Sequence, residues 1–229
     1  MMADLTIVLP VYRTRAELPE LHRRLRAATR DLGRVELIFV NDACPDGSLD
    51  VLQQIGQQDP DVRIVNLAKR GGQHEALCEG LAQARSETVI IMDADLQDPP
   101  EAIPALVERL RLGYGAVFAA RHGRYQSTPR LWSSFVFKRL VGAITGMPHG
   151  AGAFVAMTQP VAANAAALRG TRPYLTAAIA LAGQPVGSVP ITRAVRASGT
   201  SAYTSVTRTT LGVRALAQSI RWRVSGAVR

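Results

Sequence analysis

The sequence predicts an α/β protein built on a mostly parallel, doubly wound sheet. Short runs rich in Val, Ile and Leu alternate with helical patterns over the first half of the 229 residues. Such alternation is typical of parallel strands flanked by helices. Hydrophobic residues make up 47% of the chain, which is enough to form a sizeable core. We therefore expect a single domain of this class.

The first half has the clearer pattern of elements. The run TVIIMDAD at 88–95 is the most apolar, so we expect it to form a central strand buried on both faces. The predicted strands are residues 6–11, 36–42, 62–68, 88–95 and 116–121. The predicted helices between them cover about 15–32, 49–57, 73–84 and a stretch from Pro99 to Leu112.

The second half is less regular. Its predicted elements are a helix containing Leu131, Phe135, Phe137 and Leu140, a strand within the glycine-rich stretch 148–157, a helix over about 160–168 and a strand over 186–191. No flexible linker separates the two halves, so we expect them to pack together as one domain.

Charge is distributed unevenly along the chain. Residues 1–108 contain eleven basic and all eighteen acidic side chains, whereas residues 109–229 contain sixteen basic side chains and no carboxylate. Chemistry that needs Asp or Glu must therefore lie in the first half, and the second half is suited to bind an anion.

The sequence also bears on the compartment. Cys44 and Cys78 provide no disulfide framework, which fits a reducing environment. The first residues lack the features of a signal peptide, and no unbroken apolar stretch of about 18 residues occurs. We therefore expect a cytoplasmic protein, either soluble or peripheral at the inner face of the membrane.

Acidic residues follow the apolar run in the segment DADLQDPPE at 93–101. Asp93 and Asp95 are one residue apart at the end of the predicted strand, where parallel sheets gather their ligands, and Gln97 adds an amide oxygen. Oxygen ligands suit Mg²⁺ or Mn²⁺, which commonly bridge to substrate phosphates. The motif therefore predicts a divalent metal site.

Several motifs in order resemble the family 2 glycosyltransferases of GT-A fold. Pro10-Val11-Tyr12 is followed by VNDACPDGS (40–48) and by DADLQDPPE, whose QDPPE portion is similar to the dolichyl- and polyprenyl-phosphate sugar synthase branch. RLWSS (130–134) and RASGTSAY (196–203) continue the similarity. It covers roughly residues 4–205.

The resemblance implies a role for each matching residue. The implied donor-binding residues are Pro10 and Tyr12 in the base pocket, Asp42 at the nucleoside, and Asp93. The implied metal and diphosphate ligands are Asp93, Asp95 and Gln97. The implied acceptor-phosphate or pyrophosphate residues are Arg121, Arg130, Ser134 and Arg196. The residues assigned to catalysis are Asp95, Arg121, Arg130 and Arg196.

The chain also departs from the family pattern. Arg13 replaces the usual Asn, and Ala43-Cys44 replaces the usual Gly-Ser. Ala153 occupies the position of a usual Asp, and Ala202 that of a usual Lys. The membrane helices that end many bacterial members have no counterpart in this sequence.

The charge distribution favours a phosphate acceptor. Sugar transfer to a hydroxyl normally needs a carboxylate base beside the acceptor, and no carboxylate follows Glu108. A phosphate is already an anionic nucleophile, and arginines can hold it. We therefore predict metal-dependent, inverting transfer of a hexose from a GDP- or UDP-sugar to a polyprenyl phosphate. We expect no nucleic-acid partner.

Two alternatives remain open on sequence grounds. The acceptor could be the hydroxyl of a sugar or small molecule, with His122 or His149 as the base. Alternatively, the protein could bind nucleotide sugars without turnover, although an intact set of Asp93, Asp95 and Gln97 argues against that.

The predicted domain boundaries are residues 1–205 for the glycosyltransferase domain and residues 206–229 for a carboxyl-terminal helix. Within the domain, 1–108 is the predicted donor and metal half and 109–205 the acceptor half. The helix has one apolar stripe and five arginines without an acidic residue. Such a helix either lies on an anionic membrane surface or packs against protein.

Overall fold

A computed structural model describes residues 3–122, 142–170, 174–182 and 184–193. The strands are β1 (Leu5–Val11), β2 (Val35–Asn41), β3 (Val62–Asn66), β4 (Thr88–Ile91), β5 (Ala116–His122), β6 (Ala151–Thr158) and β7 (Val186–Thr192). The helices are α1 (Leu18–Thr29), α2 (Ser48–Gln58), α3 (Gln73–Gln83), α4 (Ile103–Leu110), α5 (Gln159–Ala166) and α6 (Leu175–Ala180), with a 3₁₀ turn at Pro100–Ala102.

All seven strands form one sheet in the order β3-β2-β1-β4-β6-β5-β7. β6 runs antiparallel to both of its neighbours, and every other pairing is parallel. In the register of the central strands, Ile7 of β1 lies between Leu37 of β2 and Ile90 of β4. The mostly parallel α/β sheet is therefore confirmed, with β4 at its centre.

Alternate side chains along each strand supply two hydrophobic cores, one on each face of the sheet. Ile7, Leu9 and Ile90 face the core that α1, α2 and α4 cover. Val8 and Ile91 belong to the opposite core, which α3, α5 and α6 cover. These five side chains are fully buried, so the central strands are apolar on both faces, as the sequence predicts.

Some element boundaries differ from the predicted ones. β4 ends at Ile91 instead of residue 95, so Asp93 and Asp95 lie in the loop beyond the strand. α1 begins at Leu18 instead of Arg15, with Pro19 in its first turn, where the missing N–H of proline costs no helical hydrogen bond.

The short helix α6 was not predicted. All six of its residues, Leu175–Ala180, are buried, and a segment without a polar face gives no amphipathic signal. The predicted helix containing Leu131 and the segment 206–229 lie outside the described residues. In the part of the chain that is described, no helix is long and apolar enough to cross a membrane.

Candidate active site

The carboxyl ends of six strands meet at one edge of the sheet, because all strands except β6 run in the same direction. We call this the carboxyl edge, and the opposite one the amino edge. The polar residues that follow these strands or end them include Tyr12, Asp42, Asp93, Asp95, Arg121 and Arg193. Five of these six were predicted as site residues, and Arg193 was not.

Three residues other than glycine take left-handed backbone conformations at this edge. They are Arg13 after β1 (φ 57°), Ala43 after β2 (φ 46°) and Leu96 after β4 (φ 57°). Two of them, Arg13 and Ala43, are departures from the family pattern, which has Asn and Gly there. Asn and Gly adopt this conformation most easily, so the chain keeps the turns while using less suitable residues.

Asp42 is buried at the end of β2, with 3% of its surface exposed. Its Oδ1 accepts hydrogen bonds from the backbone N–H groups of Gly71, at 2.6 Å, and Gly72, at 3.1 Å. The glycine pair thus forms the entry to α3. The carboxylate of Asp42 fixes this loop beside the end of β2.

Tyr12 is half-buried after β1 and has arginines near its ring. The guanidinium carbon of Arg70 lies 4.0 Å from the ring centroid, and that of Arg13 lies 5.5 Å away. Pro10 lies within β1 and is also half-buried. The loop from Arg70 to Gln73 therefore contacts both the tyrosine and Asp42, and closes one side of the predicted base pocket.

Asp93 and Asp95 lie in the loop after β4 and are both half-buried. The side-chain amide of Gln73 donates to Asp93 Oδ1 at 2.5 Å. Asp95 Oδ1 accepts the backbone N–H of Gln97 at 3.2 Å. The two carboxylates are thus oriented by hydrogen bonds from different parts of the chain.

The electrostatic environment of Asp93 disfavours its charge. Burial is the main cause that raises the pKa of Asp93 to about 6, and the nearby carboxylates of Asp95 and Asp98 add to the rise. Two arginines, Arg121 and Arg193, oppose it. The loop therefore carries more negative charge than its arginine neighbours offset, and a bound cation would relieve this excess.

Asp98 joins two arginines at the same edge. Its carboxylate is fully buried and accepts two hydrogen bonds from Arg121, Nε–Oδ1 at 3.2 Å and Nη2–Oδ2 at 2.8 Å. Arg193 forms an ion pair with the same carboxylate, Nε–Oδ1 at 3.3 Å. The Nη2 atom of Arg193 also lies 4.0 Å from Asp95 Oδ2.

The fit of a metal ion depends on how many ligands the protein must supply. Across the described ranges, His, Cys, Asp and Glu side chains form no group of three or more that could hold a metal. Mg²⁺, however, is commonly bound by one or two carboxylates together with substrate phosphates and water. Asp93 and Asp95 fit an ion of that kind, and the amide of Gln97 follows in the same loop.

Several predicted residues are not found at the site. Arg130, Ser134 and Arg196 lie outside the described residues. His149 is exposed in a turn before β6. Cys78 is buried, and burial raises the pKa of its thiol to about 12, so it is protonated at neutral pH and unsuited to act as a nucleophile.

Sequence reasoning missed Asp98, Arg193 and Gln73 as site residues. The QDPPE motif contains Asp98, and a charged residue amid an apolar and proline-rich segment was the available signal. Gln73 and Arg193 carried no comparable signal, because their contacts depend on how the strands are ordered.

Known proteins share this sequence pattern. A sequence model of glycosyl transferase family 2 matches residues 6–157. The undecaprenyl-phosphate 4-deoxy-4-formamido-L-arabinose transferase of Pseudomonas paraeruginosa is 42% identical over 144 residues, which are 62% of this chain and 42% of that protein. The transferase of the same name from Pseudomonas savastanoi pv. phaseolicola is 41% identical over 145 residues, 62% of this chain and 43% of that protein. The chain thus spans less than half the length of these curated relatives.

Solved structures share the fold. The mannosyltransferase PcManGT from Pyrobaculum calidifontis, in complex with GDP-Man and Mn²⁺, matches with a TM-score of 0.69 and 21% identity, over 96% of this chain and 65% of that one. Glucosyl-3-phosphoglycerate synthase from Mycobacterium tuberculosis, in complex with Mn²⁺, UDP and phosphoglyceric acid, matches with a TM-score of 0.67 and 17% identity. This match covers 96% of this chain and 78% of that one. Since the family match covers well over half of the residues and the fold agrees, the chain belongs to glycosyl transferase family 2 and has the GT-A fold.

Proposed function

We propose that the protein is a metal-dependent, inverting glycosyltransferase that moves a sugar from a nucleotide diphosphate sugar to a polyprenyl phosphate. Family membership supports glycosyl transfer. The name of the relatives at 41–42% identity contains undecaprenyl phosphate, which supports the lipid phosphate acceptor. The predicted hexose remains a prediction, because the same name contains an arabinose derivative.

The observation that carries this proposal is the contact between acidic and basic groups at the carboxyl edge. Arg193 lies 3.3 Å from Asp98 and 4.0 Å from Asp95. The proposed site for a cation and the proposed site for a phosphate would therefore be neighbours. Transfer between a diphosphate donor and a phosphate acceptor needs such an arrangement, because two anions must approach each other.

On the donor side, the carboxylates of Asp93 and Asp95 would hold Mg²⁺ or Mn²⁺ against the diphosphate. The metal would offset the negative charge of the leaving nucleoside diphosphate. Tyr12 and Pro10 would contact the base, and Asp42 would bind the nucleoside part of the donor. The donor nucleotides observed in the solved neighbours are GDP-Man in one and UDP in another, so we include both bases in the donor class.

On the acceptor side, Arg121 would bind the phosphate with Arg130, Ser134 and Arg196. An acceptor phosphate oxygen would attack the anomeric carbon opposite the leaving group. The new carbon–oxygen bond would form as the bond to the diphosphate breaks, and the nucleoside diphosphate would leave with the electron pair. A single displacement of this kind inverts the anomeric configuration. It requires no protein base, because the nucleophile is already ionised.

The experiment that tests this function is incubation with a panel of GDP- and UDP-sugars, including an arabinose derivative, with and without a short polyprenyl phosphate. Mass spectrometry should detect a glycosylated lipid phosphate only when Mg²⁺ or Mn²⁺ is present. Donor consumption with a hydroxyl acceptor alone would support the first alternative. Donor binding without consumption under any condition would support the second.

Association with an anionic membrane belongs to the same proposal. A basic helix over 206–229 would bring the site to a lipid acceptor, since each cation near such a surface contributes about 1 kcal/mol. Binding to anionic liposomes should decrease as salt increases and should be lost on deleting 206–229. Equal sedimentation of the full-length and truncated proteins would contradict this role.

A further inference from the structure

One buried carboxylate holds two arginines at the carboxyl edge. Asp98 has no exposed side-chain surface, whereas 28% of the Arg121 side chain and 25% of the Arg193 side chain are exposed. The carboxylate therefore lies behind the two guanidinium groups, and their outer parts reach solvent. Because one carboxylate is shared by two guanidinium groups, Asp98 offsets the charge of only one of them, and Arg193 has its second ionic partner in Asp95, 4.0 Å from its Nη2 atom.

The backbone of β6 makes room for this arrangement. A Cβ atom on Gly152 would lie 2.6 Å from the guanidinium carbon of Arg121 and 2.7 Å from its Nη2 atom. Only glycine therefore leaves space for the guanidinium in its observed position. Arg121 is thus fixed from two sides, by the carboxylate of Asp98 and by the backbone at Gly152.

We propose that Asp98 is a positioning residue that holds Arg121 and Arg193 together as one anion subsite, and that Arg193 is a further phosphate-binding residue. The subsite would take a phosphate or diphosphate group, because guanidinium pairs bind such oxygens in a bidentate manner. The assignment rests on the proposed function for its role in transfer. The geometry of the two arginines supports anion binding by itself.

Arg193 also connects the subsite to the carboxylates that would hold the metal. Its Nη2 atom lies 4.0 Å from Asp95 Oδ2, while its Nε atom remains 3.3 Å from Asp98. A cation at Asp95 would reduce the attraction of Nη2 to that carboxylate, and the group would turn toward a phosphate. Anion binding should therefore be tighter when Mn²⁺ is present, and Mn²⁺ binding tighter when the anion is present.

The test measures binding by calorimetry, without turnover. One arm titrates a short polyprenyl phosphate, and the other titrates UDP or GDP with Mn²⁺. We expect Arg193→Gln to lose about tenfold or more in affinity on one arm, since a charge-assisted contact is removed, and Arg193→Lys to lose less. The affected arm identifies the phosphate as that of the acceptor or the donor. Unchanged affinity of Arg193→Gln on both arms would overturn the proposal.

The positioning role of Asp98 needs a matched control. Asp59 is also a carboxylate with two basic partners, Arg26 and His22, each 2.6 Å away, but it lies at the amino edge. Asp98→Asn should weaken anion binding about as much as Arg193→Gln does, and Asp59→Asn should leave it within about twofold, even though both variants lower the melting temperature. A loss of anion affinity equal in the two variants would mean that Asp98 acts only through stability.

A double variant separates positioning from direct binding. If Asp98 acts through the arginines, the double variant Asp98→Asn, Arg193→Gln should lose much less anion-binding free energy than the sum of the losses in the two single variants. Additive losses would contradict the positioning role. Should Asp98→Asn fail to fold, the Arg193 variants still decide whether the subsite binds an anion. Absence of sugar transfer would contradict the proposed function, whereas the binding measurements, which do not depend on turnover, would still test the anion subsite.

Discussion

Two clusters of carboxylates and basic side chains occur at opposite edges of the same sheet. The pKa of a carboxylate is shifted in opposite directions in the two clusters. At the amino edge, burial by itself would raise the pKa of Asp59, but hydrogen bonds from His22 and Arg26 outweigh burial and lower it. At the carboxyl edge, burial and neighbouring carboxylates raise the pKa of Asp93 to about 6. The first cluster is balanced internally, whereas the second holds an excess of negative charge.

The two clusters also differ in what they connect. Asp59 follows α2, and its partners lie on α1, so the amino-edge cluster joins two helices. The carboxyl-edge cluster joins the loop after β4 to the ends of β5 and β7. The raised pKa of Asp93 means that this cluster carries a cost in stability when Asp93 is charged, and costs of this kind are common at active sites.

The largest expected effect concerns Asp95. Replacing it with Ala removes one of the two carboxylates available to a metal, so we expect turnover to fall at least about a hundredfold and metal-dependent donor binding to weaken. Circular dichroism should show an intact fold. The control is Asp59→Asn at the amino edge, which should retain turnover. Near-normal rates for Asp95→Ala with Mg²⁺ or Mn²⁺ present would falsify the metal role.

The second effect is the pH dependence of stability in the metal-free protein. Since the folded-state pKa of Asp93 is raised above its unfolded value, this residue destabilises the fold increasingly as pH rises from about 4 through about 6. Asp93→Asn should therefore raise the free energy of unfolding at pH 7.5, by about 1–3 kcal/mol, and have little effect at pH 4.

Asp59→Asn should show the opposite sign, because its folded-state pKa is lowered. The stability that Asp59 contributes is present above its unfolded pKa and is lost as pH falls through the folded value. This variant should be destabilised at pH 7.5 and approach the parent protein in acid. Chemical denaturation of both variants at both pH values measures the change in the free energy of unfolding. Changes of the same sign in Asp93→Asn and Asp59→Asn at pH 7.5 would mean that the two clusters do not differ in this respect.

Much of the site could be predicted because it depends on local order along the chain. The apolar runs identified the strands in their order along the chain, and polar residues at the carboxyl ends of parallel strands had to share one edge. Asp42, Asp93 and Asp95 were located in this way, whereas Arg121 was named through the family resemblance. The family resemblance added roles to them, but those roles remain predictions.

The pairing of Asp98 with Arg121 and Arg193 could not be predicted in this way. It depends on the strand order, since antiparallel β6 lies between β4 and β5, and hydrophobic periodicity carries no information on order. Asp98 therefore reaches a residue 23 positions away and another 95 positions away along the chain. The predicted end of β4 was also wrong, because the buried Met92 and Ala94 continue an alternation of apolar residues beyond Ile91, where the strand ends.

A smaller effect is expected from Gly152→Ala. The added methyl group would meet the guanidinium of Arg121, which must then move away from its place beside Asp98. We expect a loss of severalfold in affinity for the phosphate ligand, and only a modest loss of stability because the displaced group is the end of a flexible side chain.

The matched change is Gly56→Ala in α2, on the other side of the molecule from this subsite. There the nearest atom to the new Cβ is Ile64 Cδ1 at 3.4 Å, an ordinary contact, and alanine favours the helix. Ligand affinity should remain unchanged in this variant. Equal affinities for both alanine variants would mean that Arg121 binds the ligand without needing its observed position.

The smallest effect concerns backbone strain at the two edges. The amino edge uses glycine for its left-handed positions, Gly33 (φ 81°) and Gly113 (φ 95°), whereas the carboxyl edge has Ala43 at φ 46°. A left-handed residue with a Cβ costs roughly 1–2 kcal/mol, and part of this is offset because glycine has more freedom in the unfolded chain. Ala43→Gly should therefore stabilise the protein by about 0.5–1 kcal/mol, as measured by denaturant unfolding.

Gly113→Ala at the amino edge should destabilise it by a similar amount, since nothing lies within 4 Å of its added Cβ and only the backbone is strained. If Ala43→Gly lowered stability instead, the turn after β2 would be held by contacts of the alanine methyl group and would store no strain beside Asp42.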